Sequence, residues 1–520
     1  MSTSGSGRFR FLVAVAAGAL LLSAPAADAK GHRSEQCVPG AAGVGDPYYP
    51  TYGNGGYDVR HYALDIEYDP ATDRLEGEAS IRAKATQTLC SFNLDLVGLE
   101  VGRVEVNGRR ASWSRSGQEL TVTPKRPLNE GRRFRVEIDY GGVPMEFILP
   151  GTDIRTGFMA TPDGANVVGQ PEVAAGWYPV NDHPIDKASY SFDVTVPDGY
   201  EVVANGFLRD RDHRRGWTTW EWVAREPMAS YLATIDIGQW DVHRWRTASG
   251  IPVYDAVDSA ITGGLRAEID SSLARQGEIL DMLSDAFGPY PFSTVGAIVD
   301  NQDDLFFALE TQTRPVYSKL FWLDDEGNPV NGDSVVVHEL AHQWFGDDVA
   351  VARWQDIWLN EGFATYAEWL WEEHEGRATP QQTFQASYDE IPAADPFWAV
   401  VIGDPGVDLL FDDAVYVRGA MTLQALRNEV GDEAFWQIIR GWAATKSGGN
   451  GTTEEFIAYA EDVSGQQLDE LFNTWLYAAH RPAPSAVSPK GRARISTARA
   501  RARAKVRSGQ LHRRLGRLRY

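Results

Sequence analysis

The sequence predicts a multidomain protein in which an antiparallel β domain precedes a mainly helical one. Three observations predict it. Apolar residues alternate with period two over the first half of the chain, from about residue 57 to 245. They recur at helical spacing from Gly264 onward. At 520 residues, the chain is too long for one ordinary hydrophobic core.

The elements follow in chain order. Arg8 and Arg10 precede an apolar run from Phe11 to Leu22, and small residues lead to Ala27-Asp28-Ala29. This is the layout of a secretory signal peptide over 1–29, with cleavage after Ala29. The run is short for a membrane anchor, and no other stretch is long and apolar enough to span a bilayer. The mature chain is therefore expected to be secreted, with no transmembrane span. Export brings an oxidising environment, and the two cysteines, Cys37 and Cys90, are expected to pair. Residues 30–56, rich in Gly, Pro and Tyr, read as a linker.

In the β domain, Tyr62, Leu64, Ile66 and Tyr68 share one face. Leu75, Ala79 and Ile81 follow, then Phe92, Leu94 and Leu96. Val104 and Val106 lead into the Asn107-Gly108 turn, and Phe134, Val136, Ile138 and Tyr140 repeat the scheme. A helix is expected over Gly264 to Phe287, ended by Gly288-Pro289, then a strand over Val295 to Val299. Helical patterns dominate Ser334 to Ala479. The helical domain is placed at 246–484, and 485–520 reads as a disordered basic tail.

Net charge is −23, unevenly spread: Ser485 to Tyr520 holds 12 Lys/Arg and no acid, which leaves −35 on the rest. An acidic body excludes nucleic-acid binding by the folded part. The basic tail is either a solvated extension or an electrostatic hold on an anionic cell-envelope polymer.

His338-Glu339-Leu340-Ala341-His342 places two imidazoles four residues apart, on one face of a helix that Asp333 or Ser334 can cap and Gly346 can end. Two such histidines bind Zn²⁺, and the intervening Glu339 serves as general base toward water. A third ligand is needed. Glu361 opens what reads as a second amphipathic helix, with 18 residues between it and His342, room enough to turn and return. Asp347 and Asp348 sit at the first helix's end and Asp356 precedes the second, so all three are less well placed. His338, His342 and Glu361 leave one position open for water, as a hydrolase requires. His183, His243, His374 and His480 have no partner at ligand spacing and read as structural or exposed.

From about residue 50 to 484 the chain resembles the M1 family of metallopeptidases, the gluzincin aminopeptidases. The zinc motif, with eighteen residues between His342 and Glu361, carries the resemblance, as does Trp358-Leu359-Asn360-Glu361-Gly362-Phe363-Ala364. Phe287-Gly288-Pro289-Tyr290-Pro291-Phe292 and Leu471-Phe472-Asn473-Thr474-Trp475-Leu476-Tyr477 are similar to family segments too. The resemblance implies a β-sandwich-like N-terminal domain and a thermolysin-like α/β zinc peptidase domain. It also implies a short form, without the large C-terminal helical domain of many members, and so a more open cleft. Phe307-Ala308-Leu309-Glu310-Thr311 stands where the family carries Gly-Ala-Met-Glu-Asn. Glu310 is thereby implied as the carboxylate that holds a substrate's free α-amine, with Ala308 lining the substrate site. Gln170-Pro171-Glu172 is similar to a second amine-binding segment, implying Gln170 and Glu172. Val415-Tyr416-Val417-Arg418-Gly419-Ala420 resembles the segment whose Tyr supports the oxyanion, implying Tyr416.

The resemblance thus implies a zinc aminopeptidase, one Zn²⁺ per chain, acting on peptides with free N-termini. A zinc endopeptidase on the same site, an epoxide hydrolase and an inactive peptide-binding homologue are the rivals. No feature here supports the epoxide hydrolase, and the full set of ligands, base and Tyr speaks against the inactive module.

Overall fold

The computed structural model describes residues 37–483. The expected signal peptide, its cleavage after Ala29, and the basic tail of 485–520 lie outside the described residues. The remaining architecture is β-rich through Asp258 and mainly helical from Gly263 on.

The largest sheet has eight strands, in the order Phe207–Arg214, Trp217–Met228, Ala188–Pro197, Tyr57–Asp69, Arg74–Ala85, Arg133–Gly142, Glu100–Val106, Arg109–Arg110. Alternation sets its faces: Tyr62, Leu64, Ile66 and Tyr68 are buried while Asp65 and Glu67 between them are exposed. Ala188–Pro197 runs parallel to Tyr57–Asp69, a departure from all-antiparallel pairing. The long stretch of chain between the two strands makes a parallel return feasible, which a hairpin does not. A four-stranded sheet (Val38–Pro39, Leu89–Asp95, Glu119–Thr123, Ser112–Ser116) and a five-stranded one (Glu146–Ile148, Arg155–Thr161, Gly164–Val168, Ile235–Gly238, Glu201–Ala204) complete this half. Cys37 and Cys90 are joined by a disulfide, their Cα atoms 5.1 Å apart.

A second five-stranded sheet is mixed: Trp240–Arg246, Pro252–Asp258, Val295–Asp300, Val316–Ser318 and the edge strand Ala308–Leu309. Residue 245 therefore lies inside a strand whose sheet continues into the helical half.

The helices are α1 (Gly263–Leu273), α2 (Gln276–Phe287), α3 (Asp333–His342), α4 (Trp358–His374), α5 (Pro380–Glu390), α6 (Asp413–Val430), α7 (Asp432–Lys446), α8 (Thr453–Ser464) and α9 (Asp469–Phe472). The single helix expected over 264–287 is two, broken at Ala274 and Arg275. Arg275 uses the break to reach Glu278, Asp333 and Glu375, and its guanidinium lies 4.5 Å from the ring centre of Trp371. The helix expected to be amphipathic, α4, is buried on every side from Trp358 to Trp371. It is a central helix, so no polar stripe marks it.

Two contacts set the frame of the site. Gly362 on α4 and Gly419 on α6 meet backbone to backbone: a Cβ at Gly419 would lie 2.7 Å from the Gly362 Cα. On the other side, residues 46–54 fasten the two halves together. Asp46 accepts hydrogen bonds from the backbone amides of Tyr48, Tyr49 and Trp354 and bonds the buried His183. Tyr48 Oη accepts from the Gly406 amide at 2.8 Å, and Asp95 accepts from Gly53 and Asn54. No helix among the described residues is long and apolar enough to cross a membrane.

Candidate metal centre and substrate cleft

α3 delivers His338 and His342 from one face, as their spacing predicts. Its N-cap is Gly332 rather than Asp333 or Ser334, and it ends at His342, short of Gly346. Asp333 is instead engaged by Arg275, and Ser334 by Glu368. α4 enters antiparallel and brings Glu361 to the pair. Glu361 Oε2 lies 3.3 Å from both His338 Nε2 and His342 Nε2. All three side chains are buried, and one ligand atom from each falls within 4.8 Å of the others.

The far nitrogens decide the ring orientation. His342 Nδ1 donates to the Phe345 carbonyl at 3.0 Å, since a carbonyl only accepts. His338 Nδ1 is 2.8 Å from Glu368 Oε1. Each ring is thereby held with Nε2, and its lone pair in the neutral imidazole, turned toward Glu361. Two imidazoles and one carboxylate, each oriented from behind, fit a divalent metal of zinc's ligand preference. Burial works to raise the Glu361 pKa, and His342 and His338 outweigh it, so the carboxylate is held below its usual range. Burial acts to lower His338, but Glu361 and Glu368 override it and raise it.

Glu339, between the two ligands, points into the same space. Burial pushes its carboxyl up to about 8, against the opposing pull of His338 and His342. Glu310 follows the edge strand Ala308–Leu309. One carboxylate oxygen of Glu310, one of Glu339 and a His342 nitrogen lie within 4.8 Å of one another. Tyr231 Oη donates to Glu310 Oε1 at 3.0 Å. Gln343, one residue beyond α3, pins the segment: its Nε2 donates to the Glu310 carbonyl at 3.1 Å and its Oε1 accepts from the Thr313 amide at 2.8 Å. Tyr416 on α6 lies beside His338, ring centres 6.0 Å apart and planes 22° apart.

Of these groups, Ala308, Glu368 and Tyr416 line a cavity of about 1030 Å³, together with Gln170 and Thr365 among others, while His338, Glu339, His342, Glu361 and Glu310 are not among its lining residues. Glu172 is two residues from Gln170 but is not among the lining residues. Burial first, then Asp182 and Asp46, push its carboxyl up to about 9. His374, which has no partner at ligand spacing in sequence, stands exposed with Glu278 and Glu375. Arg275 pairs with both glutamates at 2.9 and 2.7 Å, so that cluster is already balanced by a cation.

Sequence reasoning missed Glu368, Gln343 and Tyr231. Glu368 carried a signal, since it lies seven residues after Glu361 and so on the same face of α4. The other two carried none: Tyr231 reaches Glu310 across 79 residues, and Gln343 acts through a backbone carbonyl.

The Peptidase family M1 domain matches residues 272–475, and the Peptidase M1 N-terminal domain matches residues 59–232. The probable aminopeptidase 2 of Sulfurisphaera tokodaii is 26% identical over 404 residues, covering 74% of this chain and 49% of that protein. The aminopeptidase N of Streptomyces lividans is 27% identical, over 57% of this chain and 36% of its own length. The chain thus spans about half or less of the length of these curated relatives. The crystal structure of an M1 zinc metallopeptidase from Deinococcus radiodurans aligns with a TM-score of 0.76 and 30% identity, over 87% of this chain and 100% of that one. A variant of that protein has been solved bound to a Tyr-Ser-Ala substrate. Match by match, over both halves and across the whole of a solved two-part relative, the chain belongs to peptidase family M1.

Proposed function

We propose that this chain is a zinc-dependent aminopeptidase that removes N-terminal residues from peptides. The observation that carries this reading is Glu310, a buried carboxylate with an oxygen within 4.8 Å of ligand atoms of Glu339 and His342, just beyond the cleft-lining Ala308. A carboxylate fixed there by Tyr231 and Gln343 can pair with a substrate's α-ammonium and place the first peptide bond beside the metal ligands. The relatives named as aminopeptidases and the tripeptide held by the Deinococcus variant support the same substrate class.

His338, His342 and Glu361 would hold the zinc. When bound, zinc polarises the scissile carbonyl and makes water acidic enough to attack near neutral pH. Glu339 takes the attacking water's proton on its carboxylate and returns it to the departing amine nitrogen. The Tyr416 hydroxyl donates to the carbonyl oxygen as negative charge develops there. Glu368 and the Phe345 carbonyl keep both imidazoles in place through the cycle. Gln170 and Ala308 line the path of the first residue.

Peptide pairs with free and acetylated N-termini test the reading. Only the free forms should be cut; equal cleavage of both would establish an endopeptidase. Glu339→Gln should retain stoichiometric zinc and lose nearly all turnover. Absence of hydrolysis by the zinc-loaded wild type across a panel of aminoacyl substrates would leave the inactive peptide-binding homologue.

Export belongs to the same proposal. Arg8, Arg10, the apolar run and the small residues to Ala29 support it, and so does the Cys37–Cys90 disulfide in a chain with no other cysteine. N-terminal sequencing of the extracellular form should begin at Lys30. The basic tail would then face the envelope, and its deletion should lower retention by cells.

A further inference from the structure

Two opposed acids in the β-rich half serve neither the metal centre nor the cleft. On the four-stranded sheet, Asp95 at the end of Leu89–Asp95 stands directly opposite Glu119 at the start of Glu119–Thr123. Directly opposed residues point to one face of a sheet, with Cβ atoms about 4.5–5.5 Å apart. Residues 51–54 lie against this end of the strand pair. Gly53 and Asn54 donate to Asp95 Oδ2 at 3.2 and 3.0 Å, and Gln118 Nε2 donates to the Thr51 carbonyl at 2.8 Å.

Four side-chain oxygens here are buried and accept no hydrogen bond: Asp95 Oδ1, Glu119 Oε1, Glu119 Oε2 and Asn54 Oδ1. Asp95 is 0% exposed and Asn54 1%. The Asn54 amide head touches the Asp95 carboxylate through its Nδ2, so its idle oxygen belongs to the same cluster. Neither acid has a cationic partner among the described residues. Asp182 beside them is already bonded, by the Ala175 amide and the Ser230 hydroxyl. Like charges directly opposite destabilise a strand pair, and a buried carboxylate oxygen without a donor adds its own cost. Burial pushes the Glu119 carboxyl up to about 7. Burial first, then the charges of Asp182 and Glu119, raise that of Asp95 against the amides of Asp182 and Gly53.

A bound cation would relieve these costs together. One divalent charge balances two carboxylates. Every idle donor is an oxygen, with no nitrogen or sulfur among them, which suits a hard ion and not zinc. Glu119 has both oxygens available for bidentate binding, and Asn54 offers a neutral carbonyl oxygen of the kind calcium sites include. Mg²⁺ fits less well, since it demands near-ideal octahedral geometry and sheds water reluctantly. We propose that Asp95, Glu119 and Asn54 form a calcium site that fastens residues 51–54 to the four-stranded sheet.

The full chain tests this, freed of calcium over a chelating resin and given back one equivalent of zinc. Equilibrium dialysis should find one Ca²⁺ per chain, with a dissociation constant on the order of 0.1–1 mM. About 10 mM CaCl₂ should raise the melting temperature by about 3–8 °C, and MgCl₂ at the same concentration should do much less. Glu119→Gln should abolish both the binding and the shift, and Asn54→Ala should weaken binding about tenfold or more. A wild type with no bound calcium and no shift would overturn the inference and leave the two carboxyls sharing a proton. Calcium binding of equal strength in wild type and both variants would overturn it as well, by placing the ion elsewhere.

Discussion

Tyr416 lies nearly parallel to the His338 ring, and burial first, then the charges of Glu361, Glu310 and Glu339, push its hydroxyl well above its ordinary range, so it stays protonated and able to donate at any working pH. Its removal should therefore be felt in the step where charge develops on oxygen. Tyr416→Phe is expected to lower kcat about 100-fold or more with little change in KM, checked by steady-state kinetics on one good substrate. Asp186 shows a different consequence of burial. It accepts the Val59 amide and the Asn181 side chain, yet burial pushes its carboxyl up to about 8. A carboxyl whose folded pKa exceeds its unfolded one favours the fold most below the unfolded pKa, near 4, and loses that contribution as pH climbs toward 8. The difference in unfolding free energy between wild type and Asp186→Asn should thus move in favour of the variant as pH rises from 5 to 8. The slope is at most about 1.4 kcal/mol per pH unit, and urea melts across that range would measure it.

At the level of elements, the crossing of α4 and α6 places the candidate metal ligand Glu361 and the hydroxyl of Tyr416 on facing helices. Only glycine at 362 and 419 permits this approach. Alanine at 419 would gain up to about 1 kcal/mol of helix propensity. It would also drive a methyl to 2.7 Å from backbone that cannot swing aside, and such overpacking costs about 1–3 kcal/mol. Net destabilisation is therefore expected for Gly419→Ala, with kcat falling as Tyr416 shifts, checked by thermal melting and kinetics together. The same elements show what a sequence can and cannot carry. His338 and His342 are legible because the α-helical period alone puts them on one face. Strands such as Tyr57–Asp69 are legible because one face is wet and the other dry. α4 is dry on all sides, so its pattern misleads, and the partners of Arg275 at the break, Asp333 and Glu375, lie far along the chain. Glu368 lay within reach of the helical period and went unread, since a carboxylate without a known partner looks like any other. Residues 46–54 read as linker because their Gly and Pro content describes the backbone, while their hydrogen bonds go to residues hundreds of positions away.

For the molecule as a whole, the disulfide closes a loop between positions 53 residues apart and ties the start of the described chain to the four-stranded sheet. Replacing Cys37 and Cys90 with Ser should lower stability by about 2–4 kcal/mol. The urea midpoint of the variant should match that of the reduced wild type. The loss should reach the helical half too, because the segment beyond Cys37 carries Asp46 to the amide of Trp354, just ahead of α4.

That segment also has a place in time. Its partners at Trp354 and Gly406 lie 308 and 358 residues downstream of Asp46 and Tyr48. Contacts so distant along the chain close large loops and carry the entropic cost of that closure. A nascent polypeptide that has not yet delivered Gly406 has no complete seat for residues 46–54. The first described segment of the chain thus completes its contacts only once residues as distant as Gly406 are in place, and it works as a latch across the two halves.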